Sequence, residues 1–473
     1  MRRTLFFLLP IFLLFSCTAS AASNAAGHKT FIHCLVNHSE PSYPITSAIF
    51  TPNNSSFSSV LEAYIRNLRF NTSTTRKPYL IITAQHVSHV QAAVVCAQKH
   101  NLQMKIRSGG HDYEGCLMLP RSPSSSLTCS ISDQLKWTPK PKRLGFKLVQ
   151  HLVKFIIESM RKIRHGASQL GFVPPLVLVV TSVERINGRD LFWAIRGGGG
   201  ASFGVIIAYR IKIVHVPETV TVFQVRRTLE ENATDIMYKW QQVAPTIDND
   251  LFIRVILDVV NSSQNGNKTV RASFISLYLG DSNNLLSIMN EKFPELGLTQ
   301  SDCIEVSWLQ SVLFWTNINI SMPVEVLLNR TASVNYLKRK SDYVKQPISK
   351  EAYEGIWRKM IELENAILYF NPYGGRMAEI PATTVAFLTV RGTCGRYMTP
   401  FVSKNPREAF FNYKDLDLGI NHNGKNSFLE GSVYGVEYFK DNFKRLVQIK
   451  TKVDPGNFFR NEQSIPTLPY GKS

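Results

Sequence analysis

The chain has 473 residues, with 54 Lys or Arg against 35 Asp or Glu and a formal net charge of +19. That length allows two or three domains and a sizeable buried core. Much of the charge is local, since residues 116–183 hold ten Lys or Arg against two acids, a net of +8. The balance is therefore poor evidence for a nucleic-acid partner and leaves at most a weak, unspecific attraction to acidic cell-wall polysaccharide.

The chain opens MRRTLFFLLPIFLLFSCTASAAS, with two arginines, an apolar run from Leu5 to Phe15 and small residues around Ala19 to Ala21. Residues 1–22 read as a secretory signal peptide, too short and wrongly flanked for an anchor. No later apolar run is long enough to span a bilayer, so the mature protein is expected outside the cell, in the wall or in the vacuole. Sequons at Asn37, Asn53, Asn54, Asn71, Asn232, Asn261, Asn267, Asn319 and Asn329 suit an exported glycoprotein. Export permits disulfides. Cys34 and Cys96, each inside an apolar run, are the best candidates.

Residues 23–74 read as a short helical lead-in with Asn- and Ser-rich turns. From Lys77 the text predicts a strand over 79–83, an amphipathic helix over 87–100 and a second strand over 102–106. This strand–helix–strand unit ends in RSGGHDYEG, residues 107–115, where such folds bind ligands. Gly109 and Gly110 let backbone approach a phosphate closely. His111 beside them could be a base, a metal ligand or a point of covalent cofactor attachment. A second glycine run, Gly197 to Gly200 and then Gly204, sits in DLFWAIRGGGGASFGV between apolar segments. Backbone bare over that length is costly unless something flat or phosphorylated lies against it.

These two stretches, with NPYGGRMAEIP (371–381), FNYKDLDLG (411–419) and VDPGNFFRNEQSIP (453–466), resemble the plant berberine bridge enzyme-like family of FAD-linked oxidoreductases. The resemblance covers most of residues 30–469. It implies an α+β fold: a PCMH-type, two-subdomain FAD-binding domain of the vanillyl-alcohol-oxidase superfamily over 75–217, and a substrate domain over 218–420 with an antiparallel sheet backed by helices. Residues 421–473 would return to the FAD domain. By resemblance His111 carries the flavin covalently. The turn of Arg107, Ser108, Gly109, Gly110, Asp112 and Gly115 cradles the pyrophosphate, and Gly197, Gly198, Gly199, Gly200 and Gly204 line the flavin. Tyr113 and Tyr413 shape the catalytic site, and Cys34 pairs with Cys96.

The chain departs from the family over 116–183. There a serine-rich basic run replaces the strand, helix and cysteine motif whose thiol would form a second flavin bond. Codons compatible with this run spell family-like text when read in a shifted frame, which points to a mis-spliced, mispredicted or pseudogenised reading of a family gene. The run is expected to leave part of the FAD domain unpacked. A shorter break of the same kind falls over 387–393, with a polar strand missing before Arg396. Cys116, Cys129, His151 and His165 do not stand in family-like positions, and no His/Cys set has metal-ligand spacing.

The resemblance implies hydride transfer from an alcohol or amine of a carbohydrate, aromatic alcohol or alkaloid to covalently held flavin. O2 or another acceptor would reoxidise it, in a monomer. The alternative is a secreted, basic, catalytically defective glycoprotein of the same lineage.

Overall fold

The computed structural model describes residues 27–107 except 64, 112–116, 189–207 except 200, 216–328 except 265, and 334–381 except 376. It also describes 383, 384, 386, 398, 400–404, 407–424 and 426–469, and the strand backbones of 126–131, 143–146 and 209–212. Ser108, Gly109, Gly110, His111 and Gly200 lie outside the described residues, as do 117–125, 132–142 and 147–183 of the expected break over 116–183 and all of that over 387–393.

Four strands form the first sheet: β1 (Ile49–Phe50), β2 (Leu80–Ala84), β3 (Gln103–Arg107) and β4 (Ser126–Ile131), in the order β1-β2-β4-β3. β2 reads LIITA and is buried at Leu80, Ile81, Ile82 and Ala84, as a parallel strand covered on both faces should be. Helix α1 (Val87–Lys99) starts at His86, whose side chain accepts the Ser88 N–H as an N-cap. Its inner face, Val90, Ala93, Cys96 and Ala97, packs with Leu80, Ile82 and Met104. The strand–helix–strand unit thus stands within a residue of its expected bounds. β4 lies between the two strands and parallel to both, with Cys129 opposite Ile82 and Ile106. It comes from the basic run expected to leave the sheet unpacked. Its text, SLTCSI, alternates Leu127, Cys129 and Ile131 with hydroxyl residues, the period a strand requires. β5 (Arg143–Phe146) and β6 (Tyr209–Lys212) form a separate antiparallel pair.

The second sheet is antiparallel, in the order β10-β7-β9-β8-β11. Its strands are β7 (Val220–Thr228), β8 (Leu251–Asn261), β9 (Lys268–Tyr278), β10 (Ile304–Val306) and β11 (Leu368–Phe370). In β8, Leu251, Ile253, Val255 and Leu257 point into the main core. They meet Ile236, Met237 and Trp240, and Tyr353, Ile356, Trp357 and Met360 from two covering helices, residues 233–243 and 350–363. By the two-residue period, Phe252 and Arg254 of β8 and Tyr369 of β11 face the other way.

Helix α2 (Arg189–Ile195) packs with α3 (Ser427–Phe439) and α4 (Asn442–Val453) around Trp193, Phe203, Tyr434, Tyr438 and Leu446. Two polar ties fix this layer to the rest. Lys450, fully buried, donates to the Ser202 and Phe459 carbonyls and to Asp454, each at 2.6 Å. Lys105 of β3 donates to both oxygens of Glu462, at 2.9 and 3.0 Å. At the N-terminal end Cys34 and Cys96 form the expected disulfide, 5.9 Å between Cα atoms. No helix among the described residues is long and apolar enough to cross a membrane.

Candidate functional site

β3, parallel to its neighbour β4, ends at Arg107, and the chain is described again from Asp112; the carboxyl ends of parallel strands are where open α/β sheets bind ligands. Asp112 Oδ1 accepts the Glu114 N–H at 3.1 Å, and Gly115 follows with φ +67°. Arg107 was expected to face the cofactor. Its side chain is instead buried, with Nη1 and Nη2 donating to the Leu61 and Val60 carbonyls at 3.0 and 3.1 Å. A cation is well placed there, at the carbonyl end of the helix Phe57–Glu62.

Lys105, Glu462 and Lys414 lie around Cys116. The Cys116 thiol is fully buried, and burial holds it well above the usual thiol range. Lys414 donates to Asn461 Oδ1 at 3.3 Å, while Asn461 Nδ2 is buried with no hydrogen-bond partner among the described residues. Buried polar groups are normally satisfied, and an orphan N–H beside a lysine ammonium suits an anionic oxygen.

The glycine run divides into two uses. A Cβ on Gly198 would lie 2.6 Å from both the Ala194 carbonyl and Leu446 Cδ2. One on Gly199, at φ +91°, would lie 2.3 Å from the Phe411 ring. Close protein packing therefore accounts for these two glycines. Gly204, at φ +148°, has nothing among the described residues within 4 Å of its missing Cβ. The open backbone at Gly204, the unpartnered Asn461 amide and the Lys414 ammonium fit a flat cofactor with a phosphorylated tail.

On the opposite side the two expected tyrosines come together. The Tyr113 and Tyr413 ring centroids are 5.6 Å apart, in a cluster with Tyr343 and Phe410. The Arg339 guanidinium lies 5.1 Å from the Tyr113 ring, 5.4 Å from Tyr369 and 5.8 Å from Tyr413. Arg254 lies 5.3 Å from the Trp315 ring and donates from Nε to Asn371 Oδ1 at 2.7 Å. Burial pushes the Tyr113 phenol up to about 12, against the pull of Arg339. It also raises Tyr413, which both Arg254 and Arg339 pull back down. Burial lowers Arg254 from the usual guanidinium range. Among the described residues no carboxylate pairs with either arginine.

Sequence reasoning missed Arg254, Arg339, Tyr369 and Lys414. Arg254 left a signal: it interrupts the apolar run LFIRVILDVV in phase with Phe252 and Ile256, on the face opposite the core. The grouping of Cys34, His38 and Cys96 has its ligand atoms within 4.8 Å of one another, but the disulfide removes both thiolates from metal ligation.

A parallel strand pair ending at Arg107 and an antiparallel sheet carrying an aromatic–arginine wall are consistent with the PCMH-type α+β class of FAD-binding oxidoreductases, to which the chain's structural relatives belong. The sequence profile described as Berberine and berberine like matches residues 409–466. Berberine bridge enzyme-like 8 of Arabidopsis thaliana is 47% identical over 95% of this chain and 97% of its own. Berberine bridge enzyme-like 1 of the same plant is 40% identical over 98% of each. Among solved structures, the grass pollen allergen Phl p 4, with glucose dehydrogenase activity, superposes with a TM-score of 0.84. It is 33% identical, over 93% of this chain and 100% of its own. A berberine bridge enzyme variant superposes at 0.80, with 26% identity over 93% and 100% of the two chains. The chain belongs to the berberine bridge enzyme-like family of FAD-linked oxidoreductases.

Proposed function

We propose that this chain is an exported oxidoreductase that oxidises a hydroxyl group of a carbohydrate, with FAD attached through His111. When bound, FAD would supply the hydride acceptor, and O2 or another acceptor would take up the electrons. The observation that carries the substrate reading is the pair of guanidiniums, Arg254 and Arg339, around Tyr113, Tyr369 and Tyr413 with no carboxylate partner among the described residues. An ammonium about 5 Å from a guanidinium is disfavoured by roughly 3 kcal/mol at an effective dielectric of about 20. A cationic amine is thus a poor occupant, whereas a sugar offers hydroxyls to arginine and flat faces to tyrosine. Phl p 4, whose activity is on glucose, points the same way.

Tyr413, between the two arginines, takes the proton from the substrate hydroxyl, because both cations favour its phenolate. Tyr113 and Tyr369 hold the substrate against the flavin. Lys414 and the Asn461 amide hold the cofactor's anionic tail, and Gly204 lies along it. The signal peptide over 1–22, the closed Cys34–Cys96 bridge and the exposed sequon asparagines Asn37, Asn54, Asn71, Asn232, Asn261, Asn267 and Asn319 support export.

The test uses the full mature chain from a secretory host. Acid precipitation should leave flavin in the pellet. Under anaerobic conditions D-glucose or cellobiose should bleach the flavin, and a tertiary benzylic amine should not. A colourless protein, or bleaching by the amine alone, refutes the reading.

A further inference from the structure

The aromatic–arginine wall is assembled from chain segments that are distant in sequence, and one buried side chain bonds to two of them. Asn67, 2% exposed, belongs to the lead-in before the FAD domain. Its Nδ2 donates to the Tyr113 carbonyl at 2.9 Å and to the Leu337 carbonyl at 2.8 Å. Its Oδ1 accepts the Arg69 N–H at 3.2 Å and the Leu337 N–H at 3.3 Å. A primary amide has two donors and one carbonyl with two lone pairs, so every hydrogen-bonding position of Asn67 is used. Backbone bonds run alongside: Leu68 N–H to the Asn335 carbonyl at 3.0 Å, and Asn335 N–H to the Arg66 carbonyl at 3.3 Å.

Tyr113 belongs to the cofactor turn, and Leu337 lies two residues before Arg339 on an extended segment. Alternation along that segment turns Arg339 inward to the tyrosines, while Lys338 and Lys340 turn to acids. Lys338 meets Glu114 at 2.8 Å and Asp415 at 2.6 Å, and Lys340 meets Asp415 at 2.8 Å. The lysine ammoniums are part-exposed while Glu114 and Asp415 are buried, so these pairs also hold the segment, but without the directionality of an amide. The Asn67 amide is directional and buried, so it sets the fine position.

We propose that Asn67 is a positioning residue that fixes the Arg339 guanidinium relative to the Tyr113–Tyr413 pair. It reaches no substrate itself and acts through two backbone segments. This rests on the reading of the tyrosine–arginine cluster as the substrate site. Misplacement of a site group by about 1 Å is worth on the order of a hundredfold in rate. No other side chain reproduces the span. Aspartate keeps the acceptors but sets a carboxylate against two carbonyls, glutamine is a methylene too long, and serine cannot reach both carbonyls together.

The experiment compares Asn67→Ala and Asn67→Ser with Phe57→Leu in the flavin-loaded full chain. Phe57 of the same lead-in packs with Leu61, Ile65 and Ile81 and, among the described residues, clusters with none of the tyrosines or arginines of the site, so it controls for lost stability. Serine keeps a cap for Arg69, which guards against simple misfolding of the alanine variant. Hydrogen exchange read by mass spectrometry, without substrate, should show faster uptake over 334–340 and 112–116 in both Asn67 variants. Flavin reduction by D-glucose should slow tenfold or more, with little change in KM, while Phe57→Leu changes neither. Unchanged uptake over 334–340, or reduction within twofold of Phe57→Leu, overturns the proposal. Arg339→Met separates the two levels. A wild-type rate there overturns the site reading and this inference with it, while a slowed Arg339→Met beside a normal Asn67→Ser overturns the positioning role alone.

Discussion

Replacing Lys450 by methionine tests how the C-terminal layer supports the flavin site. The ammonium is fully buried and satisfies the Ser202 and Phe459 carbonyls and the Asp454 carboxylate. Removing one partner of a buried pair generally costs about 3–5 kcal/mol, because the other charge is stranded. Here Asp454 keeps two further donors, the Phe458 and Phe459 N–H groups at 2.9 Å each, so its charge is not abandoned. The two carbonyls lose their donor in a buried setting. Methionine restores most of the stem's packing. These terms place the loss at about 3 kcal/mol. Guanidinium unfolding followed by tryptophan fluorescence reads it as a lower midpoint at unchanged slope. Ser202 lies just before the open Gly204 backbone, so Lys450→Met should also lose flavin faster on dialysis if the attachment at His111 is removed by His111→Ala. A stability loss under about 1 kcal/mol would refute the reasoning, since it would mean that the buried ammonium contributes little net bonding.

Three further outcomes follow from the same structure. Gly199→Ala should give little flavin-loaded protein, because its Cβ meets the Phe411 ring at 2.3 Å in a backbone that alanine resists; near-normal yield and absorbance would contradict this. Opening the Cys34–Cys96 bridge with paired serines frees a loop spanning 62 residues and should cost about 4 kcal/mol on the chain-entropy account, read by denaturant unfolding. Burial raises the Glu437 carboxyl to about 7, so the folded state holds a proton that the unfolded state has released between pH about 4.5 and 7. Stability therefore falls as pH rises through that window. Glu437→Gln should match wild type near pH 4.5 and exceed it by about 1 kcal/mol at pH 7.5, after discounting for partial exposure; an equal advantage at both pH values would be inconsistent with the shift.

The first sheet was legible where local signals agreed. LIITA, the 87–100 periodicity and the glycine turn announced a strand–helix–strand unit, and each element stands within a residue of its expected place. β4 was not legible, because SLTCSI is short and serine-rich and its strand character comes from neighbours on both sides. The glycine run was read as ligand-facing throughout. Leu446 and Phe411, more than two hundred residues later, take up the space at Gly198 and Gly199. Tyr113 and Tyr413 were found from motifs and do meet. Arg254 was overlooked in plain text, since which face of β8 looks toward the site depends on strand pairing. Asn67 gave no signal at all: its partners stand 46 and 270 residues away in sequence.

The Lys105–Glu462 pair joins residues 357 apart in a chain of 473. Its partner acid stands among the last dozen residues, beside Asn461 and Gln463, and Gln463 itself donates to the Asp415 carbonyl at 2.8 Å. The polar surroundings of Cys116 are therefore completed by the end of synthesis, whatever the upstream strands have already formed. Loop closure over such a span comes late and is entropically costly. A chain ending before residue 460 can still pair its sheets but lacks the Glu462 carboxylate and the Asn461 amide. A short C-terminal truncation is therefore expected to lower flavin loading as much as a lesion in the glycine turn.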